Sequence, residues 1–185
     1  VVVEETGVSE ASRADRIASA TRRTITEKMD EDPTFYRSFS ELLEETIRDY
    51  RAKRISERDY LKNVVDLASK VARKDRGREV PDAIKGNDDG QAFFGVLEGV
   101  LATYGGKPIA ADEVAVIALT IIDIIKSHHI VDVWSNDIAQ NKMRNAIDDY
   151  FFDVLRDERG IELTVEVMDD LELKIMDLAR ARFPG

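Results

Sequence analysis

An all-α fold, a helical bundle of about seven helices, is what this 185-residue sequence predicts. Three observations carry that expectation. Apolar side chains recur at steps of three, four and seven through most of the chain. No run alternates in the two-residue period of a half-buried strand. Four prolines and ten glycines are too few for a many-turned β architecture. A 43% hydrophobic share supplies a core and 35% charged residues a dense surface; a chain of this length removes roughly 70% of its extended surface from water. Zero cysteines exclude disulfide scaffolds, zinc ribbons, iron–sulfur sites and thiol nucleophiles. A reducing, cytoplasmic location is the matching expectation.

Residues 1–11 read as a polar linker tail, and the helical domain is expected over 12–185. From Ser12 the string SRADRIASATRRTITEKM reads as a charged helix, with Ser12 and Asp15 spaced as a loose capping box. Asp32 is placed to N-cap the next helix and Pro33 to open it. Its stripe is Phe35, Phe39, Leu42, Leu43, Ile47 and Tyr50. Ser56 starts another, with Asp59 in the first turn and the stripe Tyr60, Leu61, Val64, Val65, Ala68 and Val71. The charge run from Arg73 to Arg78, with Gly77 and then Pro81, predicts a loop. Gly86 to Gly90 predicts a second one. Phe93, Phe94, Leu97, Val100 and Leu101 mark a short helix, stopped by Gly105, Gly106 and Pro108.

Val114 to Ile125 is nearly all apolar and β-branched, which suits a buried strand as well as a helix. Helix is the expectation because nothing else in the chain offers it a strand partner. The run carries Asp123 and falls short of the ~20 apolar residues of a membrane span. Asn136 caps the next helix, with the stripe Met143, Ala146, Ile147, Tyr150, Phe151, Val154 and Leu155. Gly160 ends it, and Thr164 opens the last helix through Met168, Leu171, Ile175 and Leu178. No repeat of ~20–50 residues appears. The N-terminus shows no basic and apolar targeting pattern, and the missing initiator Met suggests a piece of a longer protein.

Net charge −10 hides a pattern. Residues 1–47 carry net −5, 48–85 net +5 and 86–185 net −10. A basic segment between two acidic ones marks a phosphate-facing strip or a dock for an acidic partner; the plain alternative is solvated helix faces. Arg48, Arg51, Lys53, Arg54, Arg58 and Lys62 straddle the turn between two amphipathic helices and are the candidate DNA- or partner-contact residues. Tyr50 and Tyr60 belong to the apolar stripes, so sequence-blind, salt-sensitive contact is the most that strip supplies.

No candidate catalytic, metal or cofactor residue emerges. Glu172-Leu173-Lys174 has the E-x-K form of metal-dependent nucleases, but residues two apart diverge by ~200° on a helix. His128 and His129 lack the i, i+4 spacing of a helical metal pair, and helix-end histidines bonding terminal carbonyls are the expected role. Asp132 is spaced to pair with His128. Gly105-Gly106-Lys107 lacks the phosphate-loop frame, and Pro108 stands where its Ser/Thr belongs. Asp148-Asp149 and Asp169-Asp170 diverge as adjacent helical residues must. The sequence leaves open whether Trp134 is buried; a single Trp ahead of a helix cap lies more often in a core than at a contact.

Three strings carry a family resemblance. RTITEKMDEDPTFYRSFSELLEETIRDYRAKRISERDYL (Arg23 to Leu61), VWSNDIAQNKMRNAIDDYFFDVL (Val133 to Leu155) and the closing ARARFPG resemble the C-terminal helical region of type I restriction enzyme R subunits. The resemblance spans residues 12–185 and is weakest over about 73–112, which reads as a variable insertion. It implies a larger ATP-dependent endonuclease, with a nuclease and two RecA-like helicase domains upstream, using ATP and magnesium. None of those motifs falls in this chain, so no family active-site residue carries over. The implied role is a non-catalytic assembly domain that docks the translocase onto methyltransferase (M) and specificity (S) subunits. Duplex DNA would be held mainly by the upstream domains, with no membrane partner. The alternatives are a coupler touching duplex DNA through Arg48–Lys62, and a standalone helical regulator.

Overall fold

The computed structural model describes residues 8–103 and 107–185. They form seven α-helices and no strand: α1 (Glu10–Glu27), α2 (Pro33–Arg51), α3 (Glu57–Arg73), α4 (Asp88–Thr103), α5 (Ala111–His128), α6 (Asp137–Asp149) and α7 (Val165–Arg182). The all-α expectation holds. Residues 1–7 of the expected tail, and the Gly105-Gly106 stop, lie outside the described residues. The chain divides into two compact units, 8–29 with Phe35–Glu79, and Asp30–Thr34 with Val80–Gly185.

The first unit is built from α1, α2 and α3. Its first helix begins before Ser12, because the Ser9 side chain is the cap that accepts from the Ser12 N–H at 3.2 Å. Small residues Ala14 and Ala18 let α1 approach α3 closely, against Tyr60, Val64 and Leu67. From α2, Phe35, Tyr36, Phe39, Leu43 and Ile47 complete the core. Leu42 and Val65, expected in that core, are 46% and 47% exposed. Each stands about 100° round the helix from a buried neighbour, so the true stripe is narrower than the apolar count suggested. Leu67, passed over in the expected stripe, is buried in its place.

Both α2 and α3 end in a left-handed residue. After α2 the Lys53 N–H bonds the Tyr50 carbonyl at 2.9 Å and the Arg54 N–H bonds the Asp49 carbonyl at 2.8 Å. That is a Schellman closure with Lys53, at φ +58°, in the position glycine usually takes. Lys74, at φ +52°, closes α3 in the same left-handed conformation.

In the second unit α4 packs on α5 and α7, and α6 on the same two helices. The Val114–Ile125 run is helical, with Val114, Ala115, Ile117, Ala118, Ile121, Ile122 and Ile125 buried. The expected 86–90 loop is shorter than its composition suggested, because Asp88, Asp89 and Gly90 already form the first turn of α4. The Asn87 side chain accepts from the Gly90 N–H at 2.9 Å. A Cβ on Gly90 would lie 2.9 Å from the Ile84 side chain, and one on Gly95 3.2 Å from Thr34, so both glycines serve close approach. Asn136 and Thr164 cap α6 and α7 as their positions predicted. Unforeseen is a π-helical stretch, Tyr150–Glu158, continuing α6. It keeps Phe151 and Leu155 in the core, four residues apart, as an α-helix would.

Candidate functional site

The six basic candidates are all exposed, and they share the α2–α3 corner of the first unit. Arg48 and Arg51, three apart in the last turn of α2, are neighbours on its surface. Arg58 and Lys62, four apart on α3, likewise share one face. Lys53 occupies the turn between them. Arg54 differs from the others, since its guanidinium is held by Asp49 at 3.0 Å. Beneath the corner, the rings of Tyr50 and Tyr60 stack with centroids 4.3 Å apart and planes 6° from parallel. Tyr60 is buried and its hydroxyl donates to Asp15 at 2.9 Å. Burial, then that hydrogen bond to a carboxylate, push its pKa up to about 12.

The strings with a catalytic look are occupied otherwise. Glu172 approaches Arg144 of α6 at 3.2 Å, whereas Lys174 pairs with Asp170 one turn back at 2.7 Å. The two ends of E-x-K therefore point to different partners, as helical geometry requires. His128 Nδ1 bonds the Ile124 carbonyl at 2.9 Å, the helix-end role expected of it. A carbonyl only accepts, so that nitrogen carries the proton. His129 Nε2 donates to the carbonyl of Phe183 at 2.9 Å, and Trp134 Nε1 donates to the same oxygen at 2.7 Å. Trp134 is half-buried, and its ring carries the Arg180 guanidinium, 5.4 Å from the centroid. Asp132 does not reach His128; it takes the left-handed conformation that opens the Val133–Ser135 turn.

Asp148, Asp169 and Glu172 gather where α6 meets α7. Burial first, then repulsion from Asp169 and Asp149, lifts Asp148 above the usual carboxylate range. Glu172 is raised by burial and by Asp148. Among the described residues no three His, Cys, Asp or Glu side chains converge well enough to hold a metal ion. Their burial and mutual repulsion bear on stability. Because the folded state binds the Asp148 proton more tightly than the unfolded state does, stability falls as pH rises through the folded pKa. Asp148→Asn should therefore stabilise the chain by a few tenths to ~1 kcal/mol at about pH 7, the group being partly solvated. The gain should vanish near pH 4. Urea midpoints at the two pH values check it, and an equal gain at both would be the wrong result.

A pocket of about 520 Å³ lies where the end of α4, the start of α5 and the turn before α7 meet. Its charged lining is mixed, with Arg159 3.9 Å from Glu113 and with Glu98, Glu162 and Lys107 nearby. That set selects no single ligand chemistry. No helix among the described residues is long and apolar enough to cross a membrane.

Over residues 14–160 the sequence matches the family described as "Type I restriction enzyme HindI endonuclease subunit-like, C-terminal". No curated protein and no solved structure matches the chain. The chain belongs to that family of C-terminal domains.

Proposed function

We propose that this chain is the assembly domain of a type I restriction R subunit, docking the ATP-dependent translocase and endonuclease onto the methyltransferase–specificity core. Family membership supports the restriction setting. The observation that carries docking is an ordered apolar edge. Ile130, Val131 and Ile138 are 49%, 84% and 71% exposed. Single exposed hydrophobic residues are ordinary; three within residues 130–138 are the apolar stretch to which we assign the docking contact. Its backbone is tied down by His129 and Trp134 on the Phe183 carbonyl and by Gln140 on the Trp134 carbonyl at 3.1 Å. An edge fixed in advance binds without an ordering cost.

In this reading ATP and magnesium belong to the full-length enzyme. No chemical step is assigned to either group here. Titration calorimetry of the chain into the purified M–S core, without DNA, should show association. Val131→Asp combined with Ile138→Asp should weaken it at least ~10-fold while leaving the fold intact, since both side chains face solvent. A wild-type chain that fails to bind the core would end the docking reading. Unchanged affinity in the double variant would remove this edge from the interface.

A further inference from the structure

We propose that the α2–α3 corner is a sequence-blind contact for the phosphate backbone of a nucleic-acid duplex, made by Arg48, Arg51, Lys53, Arg58 and Lys62. The proposal concerns the first unit and does not depend on the docking reading, whose edge belongs to the second.

Charge availability is the first support. None of these five side chains is engaged by a carboxylate among the described residues, whereas Arg22, Arg23, Arg54 and Lys70 of the same unit are held at 2.6, 2.7, 3.0 and 2.8 Å. Of the nearby acids, Asp49 is occupied by Arg54, and Asp59 accepts from the Ser56 hydroxyl at 2.7 Å. Glu10 and Glu57 remain at the border, Glu10 with Asp59 in the shallow depression that Arg58 and Lys62 share. By sequence, residues 1–29 and 35–79 together carry 17 basic and 14 acidic side chains, against 10 and 23 in the second unit. With a Debye length of ~8–10 Å at ordinary salt, a phosphate at the corner responds to the local cations more than to the total of −10.

Backbone strain is the second support. Lys53 keeps φ +58° in a helix closure that glycine would fill at no steric cost. At Lys53 that closure sets an unpaired cation in the turn between Arg51 and Arg58, where glycine would leave none.

The character of the surface selects the occupant. A protein interface is built round buried apolar or aromatic anchors, and among its described residues this unit exposes two large hydrophobics, Leu42 on α2 and Val65 one turn beyond Lys62 on α3, too few for such a core. Single strands are gripped by exposed rings. Here Tyr50 and Tyr60 are stacked on each other and the Tyr60 hydroxyl is committed to Asp15. Cations spread over two helix ends and a turn suit the phosphates of a duplex, and phosphate contacts alone carry no sequence information.

Fluorescence anisotropy of a labelled DNA duplex of arbitrary sequence, about 20 bp long, titrated with the 185-residue chain tests the proposal. Around four phosphate contacts predict a ~100-fold loss of affinity between about 50 and 200 mM salt. The triple variant Arg51→Glu, Lys53→Glu, Arg58→Glu should lose at least ~30-fold at the lower salt. Charge reversal at the exposed Lys107 and Lys142 together should change binding less than ~2-fold. Lys53→Gly separates strain from use: it should raise the melting temperature, weaken duplex binding several-fold and lower the salt slope by about one contact. The proposal falls if the wild type shows no duplex binding at the lower salt. It falls equally if the control reversal costs as much as the triple variant, or if a single strand of the same length binds more tightly. Failure here with association to the M–S core intact would leave the docking reading standing.

Discussion

Arg182→Met should destabilise the second unit by ~2–3 kcal/mol. The Arg182 side chain is only 10% exposed, and its guanidinium serves two partners. Nε meets the Asp89 carboxylate at 2.6 Å, and Nη1 donates to the Glu31 carbonyl at 2.8 Å. Methionine keeps most of the apolar stem, so the loss isolates the charge and its hydrogen bonds. What remains is a half-buried carboxylate and a carbonyl without their donor. Because Asp89 is itself partly solvated, the expected figure lies below the ~3–5 kcal/mol of a fully enclosed pair. Urea unfolding of wild type, Arg182→Met and Arg182→Met/Asp89→Asn measures it. The double variant should cost less than the sum of the two singles. Additive costs would mean that the pair contributes nothing as a pair.

That contact also shows which information the sequence withholds. Arg182 and Asp89 are 93 positions apart, and neither carries a local signal of the other. The same holds for Trp134 and His129, which find the Phe183 carbonyl 49 and 54 positions away. Elements whose stability is local were legible instead. Ser56, Asn136 and Thr164 were readable as caps because a side-chain oxygen meeting the N–H three residues on is a short-range interaction. The Val114–Ile125 run was decided by topology, since a lone strand leaves its backbone groups unpaired. Periodicity placed Phe151 and Leu155 correctly, yet it does not separate two turns of π-helix from two of α-helix.

At the basic corner the sequence indicated the exposure of all six cations, because they fall between apolar stripes. It could not indicate that Arg54 is neutralised, for the Asp49 contact depends on the closure that folds residue 54 back over the end of α2. Nor did it indicate the strain at Lys53, since the left-handed position is normally announced by glycine.

Tyr60 should make the first unit sensitive to alkali in a window that few other groups share. Its pKa, ordinarily 10.0, is pushed to about 12, by burial first and by the hydrogen bond to Asp15 second. A phenol with a raised folded pKa keeps its proton in the native state at pH values where the unfolded chain has lost it. Stability from this group is therefore complete below the unfolded value and declines as pH climbs from there to the folded one. Two pKa units correspond to roughly 2.7 kcal/mol. Solvent around the exposed Asp15 screens part of that, so a loss of ~1–2 kcal/mol across the window is expected. Tyr60→Phe retains the ring stacked on Tyr50 and removes only the hydroxyl. At about pH 7 it should cost ~1–1.5 kcal/mol for the hydrogen bond to a charged acceptor. Above pH 10 the variant should escape the tyrosine-linked decline, so the two stability curves converge as pH approaches 12. Guanidinium unfolding at pH steps between about 8 and 12, followed by far-ultraviolet circular dichroism, gives both curves. Parallel curves with a constant gap would show that the Tyr60 proton is held no more tightly in the folded chain than in the unfolded one.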